Sequence, residues 1–108
     1  MEAWPINIIC YAPQTEHHET AQSVLPSDRG FSVEYAWSDR FLGRLLNCHS
    51  FDLMVLIDPI QPADVALAWQ ARRYSRCNTQ IPTTIMGKNL PPGLAQLVAR
   101  TKRLSHIR

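Results

Sequence analysis

The chain has 108 residues, 45% apolar and 19% charged, with a formal net charge of +2. It is long enough for one compact domain, too apolar for disorder, and too weakly charged for nucleic-acid binding to follow from charge. Its three cysteines, Cys10, Cys48 and Cys77, are odd in number and lack CxxC spacing, so neither a disulfide framework nor a zinc site is indicated. There is no basic-then-apolar leader and no apolar run of membrane-spanning length, and a reducing, cytoplasmic setting is expected.

Ile6 to Tyr11 (INIICY) is a short Ile-rich run that predicts a strand buried on both faces, ended by Ala12-Pro13. Gln14 to Val24 predicts a helix, with Glu16 and Glu19 suiting its positive end, and Pro26, Asp28 and Gly30 break it. Phe31 to Trp37 alternates, with Phe31, Val33, Tyr35 and Trp37 on one face. That pattern predicts a strand near a sheet edge. Ser38 or Asp39 caps a second helix, whose apolar stripe is Phe41, Leu42, Leu45 and Leu46.

Leu53 to Ile57 is the most apolar run and is expected at the centre of the sheet. It ends at Asp58, with prolines at 59 and 62. Pro62-Ala63-Asp64 opens a third helix carrying Val65, Ala68, Trp69 and Arg72 or Arg73, which Cys77-Asn78-Thr79 ends. Ile81 to Met86 predicts the fourth strand, closed by Gly87. Pro91-Pro92-Gly93 leads into a last helix with Leu94, Leu97, Val98 and Leu104 on its inner side.

Strand and helix thus alternate four times. Strands joined by helical crossovers lie parallel, which predicts a small doubly wound α/β sheet of four or five parallel strands with helices on both faces. Ligands and chemistry in such sheets gather outside the carboxyl ends of the strands. That confines attention to Cys10–Gln14, Trp37–Asp39, Asp58–Pro62 and Gly87–Asn89. There is no GxGxxG, no Walker lysine loop and no GxSxG elbow, so no nucleotide cofactor or hydrolase chemistry is indicated.

Two resemblances follow from these positions. Asp58-Pro59-Ile60-Gln61-Pro62, with its lead-in Phe51 to Leu56, the strand Ile81 to Met86 and the helix Leu94 to Arg100, resembles the receiver domains of bacterial response regulators. The resemblance implies a flavodoxin-like fold with Asp58 at the phospho-acceptor position. Active receivers hold magnesium with two acids after the first strand, where this chain has Ala12-Pro13, and place a hydroxyl where it has Gly87. Lys88 is the one lysine near that edge. A single carboxylate is a poor magnesium site, and phosphoryl transfer without the metal lacks its main charge stabiliser. The resemblance is therefore to degenerate pseudo-receivers, with Asp58 a vestigial acceptor. It implies a single receiver-like domain over 1–108, at the front of a longer regulator, that docks on another protein or on itself as a homodimer.

The second resemblance is to IIB subunits of the sugar phosphotransferase system, of the cellobiose and lactose type. It rests on Cys10 at the end of the first strand and on Val55 to Gln61 as a strand and turn. It implies a phosphocarrier using Cys10. The loop after Cys10 contains Pro13, which donates no N–H, and Glu16, which repels phosphate.

Other groups read as structural. His17 and His18, adjacent on a helix, point about 100° apart and do not converge on a metal. Cys48 and His49, with Asp52 nearby, mark a helix end, where a histidine suits the negative pole. Trp4, Trp37 and Trp69 read as core or edge packing, because a stacking platform for nucleic acid needs basic residues interleaved with them. Arg72, Arg73 and Arg76 form one basic cluster, and Arg100, Lys102, Arg103 and Arg108 another. The expected interaction surface is the last helix, with Arg100, Lys102 and Arg103 as its rim. No cofactor, metal or membrane contact is expected, and nucleic acid is not expected to bind this domain alone.

Overall fold

The computed structural model describes residues 6–24 and 31–86. Strand β1 is Ile6–Tyr11. A single 3-10 turn, Thr15–His17, leads into helix α1, His18–Val24. Strand β2 (Phe31–Ala36), helix α2 (Asp39–Cys48), strand β3 (Leu53–Ile57), helix α3 (Pro62–Arg73) and strand β4 (Thr83–Met86) follow. Gly87, Lys88, the expected last helix and its rim of Arg100, Lys102 and Arg103 lie outside the described residues, as does Trp4.

The four strands form one sheet in the order β2-β1-β3-β4, every pair parallel. This is the order of the first four strands of a flavodoxin-like sheet. Register puts Cys10 beside Tyr35 and Val55, and Tyr11 beside Ala36 and Leu56. Alternate residues therefore feed two layers. On one face Ile8, Cys10, Leu53, Val55, Ile57 and Met86 pack with Ala21 of α1. On the other, Ile9, Tyr11, Met54 and Leu56 meet Leu42, Leu45 and Leu46 of α2 and Ala68 of α3. All five residues of β3 are buried because both of its faces are covered. Burying a leucine or isoleucine side chain contributes roughly 1.5–3 kcal/mol, so β1 and β3 carry much of the fold's stability.

Local chemistry sets the helix ends. The Ser38 hydroxyl accepts the Phe41 N–H at 3.2 Å, capping α2. Pro62 occupies the first turn of α3, where a missing N–H costs nothing. The third helix ends at Arg73 rather than near Cys77. The Ser75 hydroxyl donates to Arg72 O at 2.7 Å and accepts the Asn78 N–H at 3.1 Å, folding 74–78 into a turn. The fourth strand begins at Thr83 rather than Ile81. The Ile81 N–H turns back toward Asn78 O at 3.5 Å, and Pro82 has no N–H to give. The second strand stops at Ala36, but Trp37 still packs against the α1-side layer.

Two expected core side chains are on the surface. Phe41 is exposed, although Leu42, Leu45 and Leu46 of the same stripe are buried. Trp69 is 46% exposed, because α3 turns Ala68, not Trp69, into the core.

Asn78 is the buried link between the two large helices. Its Nδ2 donates to Leu46 O at 2.6 Å and His49 O at 2.7 Å, and its Oδ1 accepts the Phe51 N–H at 2.8 Å. The end of α2, the lead-in to β3 and the turn after α3 are thereby held by one side chain. Asp52 does similar work at the amino end of β1, with its Oδ2 accepting the Asn7 N–H at 3.0 Å.

Candidate functional site

Asp58 is the first residue beyond β3, at the carboxyl edge of the sheet, and it is exposed. Its N–H donates to Met86 O at 2.6 Å, and the Asp58–Pro59 peptide is cis. Across from it, at the end of β1, Ala12 is buried and its N–H donates to Ala36 O at 3.1 Å. Pro13 and Gln14 complete that loop. The loop positions facing Asp58 thus carry no carboxylate.

Two other acids do approach this edge, from the first turns of α2 and α3. Burial pushes the Tyr11 phenol up to about 12, and the Asp64 and Asp39 carboxylates push in the same direction. Sequence reasoning missed this grouping, because Asp39 and Asp64 read as ordinary helix-start residues. Among the described residues no three His, Cys, Asp or Glu side chains are grouped to hold a metal ion.

Cys10 lies within β1, not in the loop after it, and its side chain is fully enclosed by the α1-side layer. Desolvation there pushes the thiol up to about 12. The thiolate, which is the nucleophilic form, is correspondingly scarce at neutral pH. His17 and His18 do diverge. His17 Nε2 lies 3.9 Å from Glu16 Oε1, whereas His18 stacks on Trp37 with centroids 3.9 Å apart, and Trp37 stacks on Tyr35 at 5.1 Å. At the end of α2, His49 caps the helix through its N–H to Leu45 O, its ring lies T-shaped to that of Phe51, and Cys48 is exposed.

A second region stands out on the outer side of α3. This helix is apolar on nearly all sides (Ala63, Val65, Ala66, Leu67, Ala68, Trp69, Ala71), yet among these only Ala68 is fully buried. Trp69 and Tyr74, the latter 75% exposed, each have an arginine near one ring face. The Arg72 guanidinium carbon sits 4.7 Å from the Trp69 ring centroid, and that of Arg73 sits 5.8 Å from the Tyr74 centroid. Arg72 is fixed further by its Nε, which donates to Ile81 O at 2.7 Å. Between this end of α3 and the following turn lies a hollow of about 420 Å³.

The chain matches no family model, no curated protein and no solved structure. The site must therefore be judged on its own chemistry.

On that chemistry the two regions differ. The fold brings Asp58 to the edge where doubly wound sheets place their ligands, but supplies no charged partner from β1. It does not bring Cys10 to that edge. The arginine–aromatic surface lies toward the opposite, amino end of the sheet, where α3 finishes. Its signal in the sequence was the lack of a polar face on α3 together with Arg72, Arg73 and Tyr74 in a row. In the sequence Trp69 has no adjacent basic residue, and the helical turn supplies Arg72 as its neighbour.

Proposed function

We propose that this chain is a non-catalytic regulatory module of the pseudo-receiver kind, which passes a signal by docking on another protein or on itself, without phosphorylation. The observation that carries the reading is the exposed arginine–aromatic face of α3. Tryptophan, tyrosine and arginine are the side chains that dominate binding energy at protein interfaces. A contiguous exposed apolar face on a helix, rather than scattered single residues, marks such a surface. The carboxyl edge supports the same reading from the other side, since β1 supplies no carboxylate opposite Asp58 and among the described residues no three acid, His or Cys side chains are grouped to hold a metal ion. A reducing, cytoplasmic setting belongs to the proposal. Among the described residues no helix is long and apolar enough to cross a membrane.

The test is intact mass after incubation with acetyl phosphate and magnesium, and separately with a phosphorylated sugar-transport carrier protein. No gain is expected in either arm. A phosphate gained in the first arm and lost in Asp58→Ala would overturn the docking module. A phosphate gained in the second arm and lost in Cys10→Ser would establish a phosphocarrier instead, despite the buried thiol.

A further inference from the structure

The hollow beside α3 is an open depression of about 420 Å³, lined by Trp69, Gln70, Arg72, Arg73, Thr79 and Gln80. Every polar side chain in that wall can donate a hydrogen bond, and none is an acid. Residues 62–80 hold three arginines against one acid, Asp64, which sits a full helix length away in the first turn. Among the described residues neither Arg72 nor Arg73 forms an ion pair. A hollow of the same volume opens at the amino edge of the sheet, between Asn7, Ser32, Glu34, His49, Ser50 and Phe51. That one carries a carboxylate, so size does not distinguish the two, and charge does.

The arginines are also positioned. Arg72 is held by Ile81 O and by the Trp69 ring, and Arg73 by the Tyr74 ring. A guanidinium set over a ring keeps edge N–H groups for a planar acceptor, and its fork matches a carboxylate. Beside it, Trp69 offers apolar surface to a neighbouring side chain.

We propose that this hollow receives an acidic peptide segment of a partner protein, with a carboxylate on Arg72 and Arg73 and an adjoining apolar side chain against Trp69. The assignment rests on the docking reading and names the chemistry of its partner.

The experiment is fluorescence anisotropy at low salt, on the whole chain. The probes are a labelled peptide of Glu and Asp with one Phe and one Leu, the same peptide with Lys for each acid, and an oligo(dT). Binding of the acidic peptide alone is expected. Affinity should fall about ten-fold or more in Arg73→Glu and in Trp69→Ala, with Arg73→Lys between these and the wild type. The thermal midpoint of Arg73→Glu should fall only slightly, as a reversed charge in the last turn of a helix requires, which separates lost recognition from lost fold. No binding of the acidic peptide, binding indifferent to Arg73→Glu, or tighter binding of oligo(dT) would each overturn the assignment. Failure of the acidic peptide alone leaves the docking module standing with a partner of other chemistry, whereas tighter oligo(dT) binding, like phosphate uptake in the intact-mass experiment, overturns the module as well.

Discussion

The carboxyl edge of the sheet and the outer face of α3 make opposite use of the same fold. At the edge, parallel strands deliver Asp58 and the first turns of α2 and α3 to one place, as doubly wound sheets do. Yet β1 contributes only a buried alanine and a proline opposite Asp58, and the acids that do approach, Asp39 and Asp64, form no metal-binding group with it. On α3 the fold offers no special position, only the outside of a crossover helix. There the side chains are unusual, with two rings under two guanidiniums beside a hollow free of acids. Topology marks where chemistry can be placed, and the residues decide whether it is.

The largest effect is expected at Asn78, which ties the turn after α3 to the end of α2 and the lead-in to β3. Asn78→Ala removes a buried amide serving Leu46 O, His49 O and the Phe51 N–H. Leaving those groups unpaired should cost about 3 kcal/mol in urea unfolding. It should also loosen the turn carrying Thr79 and Gln80. A loss well under 1 kcal/mol would mean that the α3 hollow does not depend on this link.

A second measurement is alkaline stability. Burial raises the Cys10 thiol from 9.0 and the Tyr11 phenol from 10.0, each to about 12. Both groups are neutral when protonated, and the unfolded chain loses their protons first. Their contribution is therefore full below pH 9 and lost as pH rises from 9 toward 12. Urea midpoints should fall over that window, and Cys10→Ala should flatten part of the fall. A Cys10→Ala profile identical to wild type would place the thiol nearer solvent and reopen the carboxyl edge as a reactive site.

Smaller effects sharpen the contrast. Ser38→Ala should lose about 1 kcal/mol through the α2 cap, without changing peptide binding at α3. Asp58→Asn should leave both the urea midpoint and peptide binding unchanged, since its carboxylate is exposed and faces no acid from β1. A clear change in either would assign Asp58 a partner that the outer face of α3 does not account for.

Much of this architecture is legible in the chain. The apolar run Leu53–Ile57, the alternation from Phe31, the cap at Ser38 and Pro62 in a first turn are local signals, and each appears where its chemistry requires. The failures share a cause. Trp69, Phe41 and the end of α3 depend on which neighbour faces which residue, and a helix as uniformly apolar as α3 does not encode its own buried side. Asn78 read as a helix terminator because its partners, Leu46, His49 and Phe51, are distant in sequence. Asp39 and Asp64 read as helix-start acids because their shared neighbour, Tyr11, comes from another strand.

The sequence alone determined a parallel α/β sheet and its order of elements, because strand and helix periods and their punctuation are properties of adjacent residues. It also determined that Asp58 would end a buried strand without acids opposite it. Tertiary structure alone decided that Arg72 and Arg73 stand over exposed rings beside an acid-free hollow. Burial and charge environment are set by segments that meet only when the chain is folded.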